Sequence, residues 1–337
     1  MLWDKIDSLV LRNFHDYWED PLINKYLVKE ASKHFEGILI VRKGKKPIWI
    51  SHPFNYTQAK KSFSKKAIVL KYNTIEEIKT ILQNKAGKVI GYNPRHQTIV
   101  SFRNLKKFLP RRKFVDVEEE LEEERQIKNK SEIKNISKAV KETKKVLAQA
   151  ESWVHKGITE KELEEKIRLQ FLEDGFETAF CIVAFEENTS HIHHVSSDKK
   201  LNQGVVLIDT GAKYNGYCAD LTRTFWFGTE KGPLYDEFHQ EKIMAEDCLK
   251  KIESKLKPGT MAKDLCRCTN LLEEMPHSLG HGIGIEVHDF PSGIGHKSKW
   301  KLREGMVLAI EPAEYKKKFG IRIEDNYLIT KKGFRKL

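Results

Sequence analysis

Apolar and polar positions alternate along the first third of the chain in a pattern that predicts strands joined by helices. GILIVRKGKKPIWI (37–50) is two apolar runs around a Lys-Gly-Lys-Lys-Pro turn. AIVLKY (67–72) reads as a buried strand, and Thr74 stands where it caps the helical run IEEIKTILQNKAG, which stops at Gly87. KVIGYN and KFVDV are two further short strands. This pattern predicts an α/β domain over residues 1–118. A charged stretch follows, and its acidic run at 118–124 is read as a solvated linker or helix start, with 119–133 leading into the next domain. Ile133, Ile136, Val140, Val146 and Leu147 then recur at helical spacing up to Gly157. Thr159 and Glu162 form a capping box for a second helix, which runs to about Glu173 before Gly175.

From residue 178 the pattern turns to strands. VVLIDTGAKY and YCADLTRTFWF flank Asn215-Gly216, a strong signal for a tight hairpin. A helical region covers roughly 234–256 and ends at Pro258-Gly259. MVLAIEPAEY and GIRIEDNYLIT close the chain as strand-like runs, so residues 134–337 predict a second, strand-rich domain with helices.

Composition narrows the classes. The 337 residues suffice for about two domains on the usual scale of 100–200 each. No apolar stretch approaches the ~20 residues needed to span a membrane. The opening MLWDKIDSLVLRNFHDYWED carries early acids and is not expected to act as a signal peptide. Five cysteines, all after residue 180, are then expected as reduced thiols in a cytoplasmic protein. Cys266 and Cys268 make a lone C-x-C with no second pair, which is weak as a metal motif. The net charge of +12 is unevenly spread: residues 1–115 hold 24 Lys and Arg against 9 Asp and Glu, and the remainder is slightly acidic. Such an excess attracts nucleic acid or another polyanion. No recognition motif accompanies it, so a solvated lysine-rich surface is the favoured reading and a nucleic-acid partner is disfavoured.

Chemistry concentrates in the second domain. With Asn215 and Gly216 as turn residues, Tyr214 opposes Tyr217, Thr222 opposes Asp209, and Asp220 opposes Gly211. Asp209 and Asp220 then lie diagonally on one face, where two carboxylates repel unless positive charge lies between them. A metal ion resolves this; polar inward residues on a partly solvated sheet explain it about as well. In SLGHGIGIEVHDF, His281 sits between two glycines, with His277 four residues before it and His288 seven after. Glu311 and Glu324 each interrupt an apolar run, where an acid is unfavourable unless paired or metal-bound. Either glutamate facing water, or Glu324 pairing with Arg322, is the competing explanation. Four carboxylates and an imidazole form an oxygen-rich set suited to divalent Mn, Co, Fe or Zn. Two such ions, a few ångströms apart, activate a shared water.

At these residues the chain resembles the pita-bread metallopeptidases, a family including Xaa-Pro dipeptidase (prolidase), aminopeptidase P and methionine aminopeptidase. IDTGAKYNGYCADLTRTF, HSLGHGIGIEVHD, AIEP and GIRIEDNYLIT occur in the family's order, and the likeness covers about residues 120–337. It implies an α+β fold: a C-terminal pita-bread antiparallel sheet with helices, plus a smaller N-terminal α/β domain of the creatinase type. It also implies two metal ions, Mn or Co before Fe or Zn. Asp220 and Glu324 would bridge them, Asp209 would bind one, and His281 with Glu311 the other. Glu311 holds the family's acid/base position. His193, within HIHH, and His288 match histidines that contact substrate, with His191 and His194 accessory. His277 and Arg322 match positions around the proline pocket and product carboxylate, and Thr222 is placed to orient a ligand carboxylate.

The function implied is hydrolysis of the bond before proline in dipeptides or short peptides, by a homodimer. Xaa-Pro dipeptidase comes first and aminopeptidase P, on longer peptides, second. The additional N-terminal domain and the GIEVHD segment favour both over methionine aminopeptidase. A reading from another class is a non-catalytic pita-bread protein that binds through its basic first domain; the filled ligand positions argue against it. Phe185-Glu186-Glu187 stands where relatives usually carry Ser-Gly, and Ala313 replaces the glycine of the usual Glu-Pro-Gly.

Overall fold

The computed structural model describes residues 1–13, 20–27, 35–267 and 275–337, which form two compact units, Met1–Glu124 and Arg125–Leu337. Cys268 lies outside the described residues.

The first unit is built on a mixed six-stranded sheet in the order β4-β3-β2-β1-β5-β6. Its strands are β1 (Ser8–Asn13), β2 (Gly37–Val41), β3 (Ile48–Ser51), β4 (Ile68–Lys71), β5 (Val89–Tyr92) and β6 (Lys113–Asp116). The central strands β1, β2 and β3 are buried along nearly their whole length, as expected of a sheet packed on both faces. Val10, Ile40, Ile48, Ile50 and Ile90 pack against Leu82 and Leu105 of the helices Ile75–Lys85 and Ile99–Phe108. On the other face Trp49 meets Phe63 edge-on at 5.6 Å. Thr74 caps the helix Ile75–Lys85 by accepting the Glu77 N–H, as its sequence position predicts. The AIVLKY run is corrected in one respect. It forms β4, but at the edge of the sheet, with Ile68 and Lys71 exposed rather than buried.

In the second unit every strand pair is antiparallel. A four-stranded sheet contains β7 (Glu177–Phe185), β8 (Gly204–Tyr214), β9 (Tyr217–Cys218) and β10 (Leu221–Phe227). A five-stranded sheet runs β12 (Asp289–Ile294), β11 (Gly280–Gly282), β13 (Val307–Ile310), β16 (Asp325–Ile329), β17 (Phe334–Lys336), and β14 (Ala313–Tyr315) pairs with β15 (Gly320–Arg322). The acidic run is helical, Glu118–Gln126, and a second helix follows over Lys130–Trp153. The capping box of Thr159 and Glu162 starts the helix Glu160–Glu173. The helices Lys130–Trp153 and Glu160–Glu173 lie against β8 and β7, and Pro233–Glu253 packs Cys248, Leu249 and Ile252 onto Leu308, Ile310 and Tyr327 of the five-stranded sheet.

The two sheets meet where β10 runs beside residues 322–326. Asn326 Nδ2 donates to the Asp220 carbonyl (2.8 Å), and the Asp220 N–H donates back to Asn326 Oδ1 (3.2 Å). Arg223 donates to the carbonyls of Thr222 and Glu324, and Thr224 Oγ1 donates to the Arg322 carbonyl. These side-chain clips satisfy backbone groups that no continuous ladder reaches, and they bring Asp220 and Glu324 together.

Candidate metal centre

The hairpin register is the predicted one: Tyr214 opposes Tyr217 and Thr222 opposes Asp209. Asn215 (φ 52°) and Gly216 (φ 82°) both adopt the left-handed conformation that a two-residue hairpin turn of this hand requires. Asp220 falls in the short break between β9 and β10, where its N–H leaves the ladder for Asn326. His281 is the middle residue of β11. A Cβ on Gly280 would stand 2.1 Å from the Ala309 carbonyl oxygen, and one on Gly282 would stand 2.3 Å from the Phe290 carbonyl carbon. Only glycines on both sides allow β12 and β13 to close around the histidine.

Ligand-type atoms of Asp209, Asp220 and Glu324 lie within 4.8 Å of one another, and so do those of His281, Glu311 and Glu324. A third such group joins Asp220 and His281 to His288, whose ring is edge-on to that of His281 at 4.3 Å. His281 Nδ1 contacts the Gly282 carbonyl (3.0 Å), which makes it the protonated nitrogen and leaves the Nε2 lone pair directed at the acids. That Nε2 is 3.5 Å from Asp220 and 3.9 Å from Glu311 Oε1. Glu311 straddles the site, since its Oε2 lies 3.7 Å from His277 Nδ1.

The electrostatics show a site short of positive charge. Asp220 is raised well above the usual carboxylate range by burial and by the charges of Asp209 and Glu311. Glu324 is raised likewise, by burial and by Asp220, Asp209 and Glu311. Burial pushes Glu311 up to about 7. The local cation is Arg322, whose guanidinium is spent on three neighbours: Asp209 Oδ2 (2.7 Å), Thr222 Oγ1 (3.2 Å) and the Tyr315 hydroxyl (2.7 Å). Arg322 thus pairs with Asp209 rather than Glu324, and Glu324 Oε2 instead accepts from Thr222 Oγ1 at 2.8 Å. Asp209 Oδ1 and Glu324 Oε1 are buried with no hydrogen-bond partner among the described residues. Two orphaned carboxylate oxygens and an imidazole lone pair, amid acids raised by burial and by one another's charge, fit a divalent cation.

Beside this cluster opens a cavity of about 610 Å³. Its walls carry His193, His277, His288 and Arg322, with Phe180, Ile182, Ile192 and Val287 as apolar lining. His194 also reaches it, whereas His191 stacks on His194. His277 is held between the Ser278 carbonyl (2.8 Å) and the Tyr315 hydroxyl (2.9 Å), and burial lowers its pKa. His288 is also lowered, by burial and by the neighbouring His281 and His193.

Sequence reasoning passed over three residues that shape the site. Tyr315 joins His277 to Arg322, and Asn326 fixes the backbone of Asp220. Glu160 is fully buried and accepts from the Phe185 N–H (2.8 Å), Asn188 Nδ2 (2.9 Å), and Ser197 N–H and Oγ (2.9 and 2.6 Å), with His194 Nε2 at 2.8 Å. It ties the histidine segment to the end of β7. Asn326 could have been found as a polar residue inside the apolar run NYLI; nothing marks Tyr315 or Glu160. The four described cysteines, Cys181, Cys218, Cys248 and Cys266, are buried.

Comparison with known proteins agrees in extent and kind. Residues 134–331 match the metallopeptidase family M24, and residues 30–127 match the creatinase/prolidase N-terminal domain. The chain is 37% identical over 215 residues to an uncharacterized peptidase of Methanocaldococcus jannaschii, a match covering 59% of this chain and 61% of that relative's length. A Xaa-Pro dipeptidase of Pyrococcus furiosus is 31% identical over 329 residues, covering 94% of this chain and 90% of the relative. Among solved structures, an X-Pro aminopeptidase from Thermotoga maritima superposes with a TM-score of 0.88 at 26% identity, over 98% of this chain and 95% of that one. The fold is the two-domain pita-bread type, and the chain belongs to the metallopeptidase family M24.

Proposed function

We propose that this chain is a dinuclear-metal-dependent peptidase that hydrolyses the bond before proline, and that Xaa-Pro dipeptides are its substrates. The observation that carries the reading is the cluster of Asp209, Asp220, His281, Glu311 and Glu324, with two orphaned carboxylate oxygens, opening onto a cavity edged by His277 and Arg322. These five residues would hold two divalent ions, Mn or Co for preference on oxygen-rich ligands. Such ions supply water activation at neutral pH and charge stabilisation at the scissile carbonyl.

The chain's own groups supply the rest. Glu311, with one oxygen toward His281 and the other toward His277, takes the proton of the attacking water and returns it to the departing proline nitrogen. That nitrogen needs this proton because it departs as a neutral amine and not as an amide anion. His193 and His288 face the cavity, where their ring N–H groups can donate to the carbonyl oxygen as charge develops on it. Burial and the neighbouring His281 and His193 lower the pKa of His288. Arg322 and His277, joined through Tyr315, would receive the proline end of the substrate, with the planar guanidinium matched to its carboxylate. The name of the P. furiosus relative supports the dipeptidase reading.

The test is hydrolysis of Met-Pro and Ala-Pro by chelated protein, before and after adding Mn or Co, with Asp220→Ala as control. Metal-restored cleavage absent from the variant is the expected result. The likeness to the T. maritima enzyme favours a second reading, an aminopeptidase on longer peptides. Cleavage of Xaa-Pro-Pro tripeptides with both dipeptides left intact would select it. Survival of every substrate in metal-loaded protein would overturn both.

A further inference from the structure

We propose that Arg125 and Lys128 are positioning residues that strap the loop bearing His288 into the cavity. The inference rests on the peptidase reading for what His288 does, but the strap itself is geometry. The loop between β11 and β12 carries Glu286 and His288, and Asp289 opens β12, all within four residues. His288 is exposed to the cavity, and among the described residues no hydrogen bond holds its own ring. Its place depends on what fixes its neighbours.

Those neighbours are gripped from about 160 positions earlier in the chain. The Arg125 guanidinium is buried; it hydrogen-bonds Glu286 and stands 2.8 Å from Asp289 Oδ1. It also lies over the Phe290 ring at 5.1 Å. Asp289 then closes the loop on itself. Its Oδ2 accepts from the Ile285 N–H (3.0 Å), and its Oδ1 from the Phe290 N–H (2.7 Å). Lys128, also buried, donates Nζ to the Phe290 carbonyl at 2.7 Å, and its own N–H donates to the Gly305 carbonyl. Two cations sequestered from water are thus directed at residues on both sides of His288. Burying Arg125 and Lys128 is unfavourable unless their partners stay in place, so the arrangement penalises loop movement. Catalysis places the same demand on a histidine whose N–H must meet a developing charge, because small misplacements slow the reaction steeply.

Two readouts test this on the full-length protein. The first, hydrogen–deuterium exchange, needs neither metal nor activity. In Arg125→Met, the amides of 283–291 should exchange faster while peptides from β8 and β13 keep their protection. The second is a double-mutant cycle on the metal-loaded enzyme with an Xaa-Pro dipeptide. Arg125→Met should lower kcat about 100-fold with KM little changed. In a His288→Ala background the same substitution should change kcat by less than about threefold, since a residue acting through His288 has nothing left to position. Should Arg125→Met not fold, Glu286→Gln releases one arm of the strap at a partly exposed position, and it should give a smaller loss that also vanishes with His288 removed. Unchanged exchange across 283–291, a wild-type kcat, or losses that multiply independently of His288 would each overturn the proposal. A wild-type enzyme that cleaves no proline peptide would sink the peptidase reading while leaving the exchange result to decide the strap.

Discussion

At the scale of single residues, the site is defined by charge that the fold does not balance. Asp220 has like-charged neighbours in Asp209 and Glu311, and its burial opposes ionisation. Asp220→Asn should therefore lower metal-dependent kcat roughly 100-fold or more, while raising the Tm of the chelated protein by relieving that repulsion. Loss of stability in the chelated variant would contradict this account. Arg322 is a different case, because its planar fork serves three acceptors in fixed directions. A lysine offers a point charge without the fork. Arg322→Lys should raise KM for Xaa-Pro dipeptides by about 10-fold or more, measured by steady-state kinetics at saturating metal.

At the scale of elements, two placements deserve a test because each links a distant segment to the site. Glu160 opens the helix Glu160–Glu173 and holds the end of β7 and the histidine segment together. Burial would raise its carboxyl, but the hydrogen bonds from Ser197, His194, Asn188 and the Phe185 backbone outweigh burial and hold it below the usual range. A carboxyl with a lowered folded pKa stabilises the protein above its unfolded pKa, and that stability is lost as pH falls through the folded value. Glu160→Gln, which turns an amide NH2 toward existing donors, should cost about 2–3 kcal/mol near neutral pH. The gap from wild type should close in acid, below the ordinary glutamate range, in urea unfolding across a pH series. On the second element, β11, Gly280→Ala sets a Cβ against the Ala309 carbonyl. A loss of about 1–3 kcal/mol is expected, together with weakened metal binding by calorimetry, since His281 is the next residue.

At the scale of the molecule, the two units differ in what metal should do to them. All five candidate ligands lie in Arg125–Leu337. Binding to the native state alone stabilises by mass action, about 4 kcal/mol at a thousandfold excess over Kd. Added Mn should protect amides of the second unit around β8, β11 and residues 322–326, and leave the sheet of the first unit unchanged. Protection spread evenly over both units would refute a site confined to the second. No helix among the described residues is long and apolar enough to cross a membrane.

How much of this was legible in the sequence differs by kind of interaction. Local signals were read directly: the Asn215-Gly216 turn and its register, the capping box at Thr159 and Glu162, and the cap at Thr74 depend on residues within a few positions of each other. Acids such as Glu311 and Glu324 stood out because carboxylates inside apolar runs need an explanation. AIVLKY was misjudged as buried because an apolar run shows that a strand forms, not whether it lies at the centre or the edge of its sheet. What only the tertiary structure decided are partnerships between commonplace residues far apart in the chain. Tyr315 with His277, Asn326 with Asp220, Glu160 with His194, and Arg125 with Asp289 leave no local pattern. The physical reason is that hydrophobic period and turn chemistry act over one element, whereas pairing of a buried polar group is settled only when two elements are packed and water is gone. By itself the sequence determined which groups could do the chemistry; tertiary packing decided which of them are held, and by what.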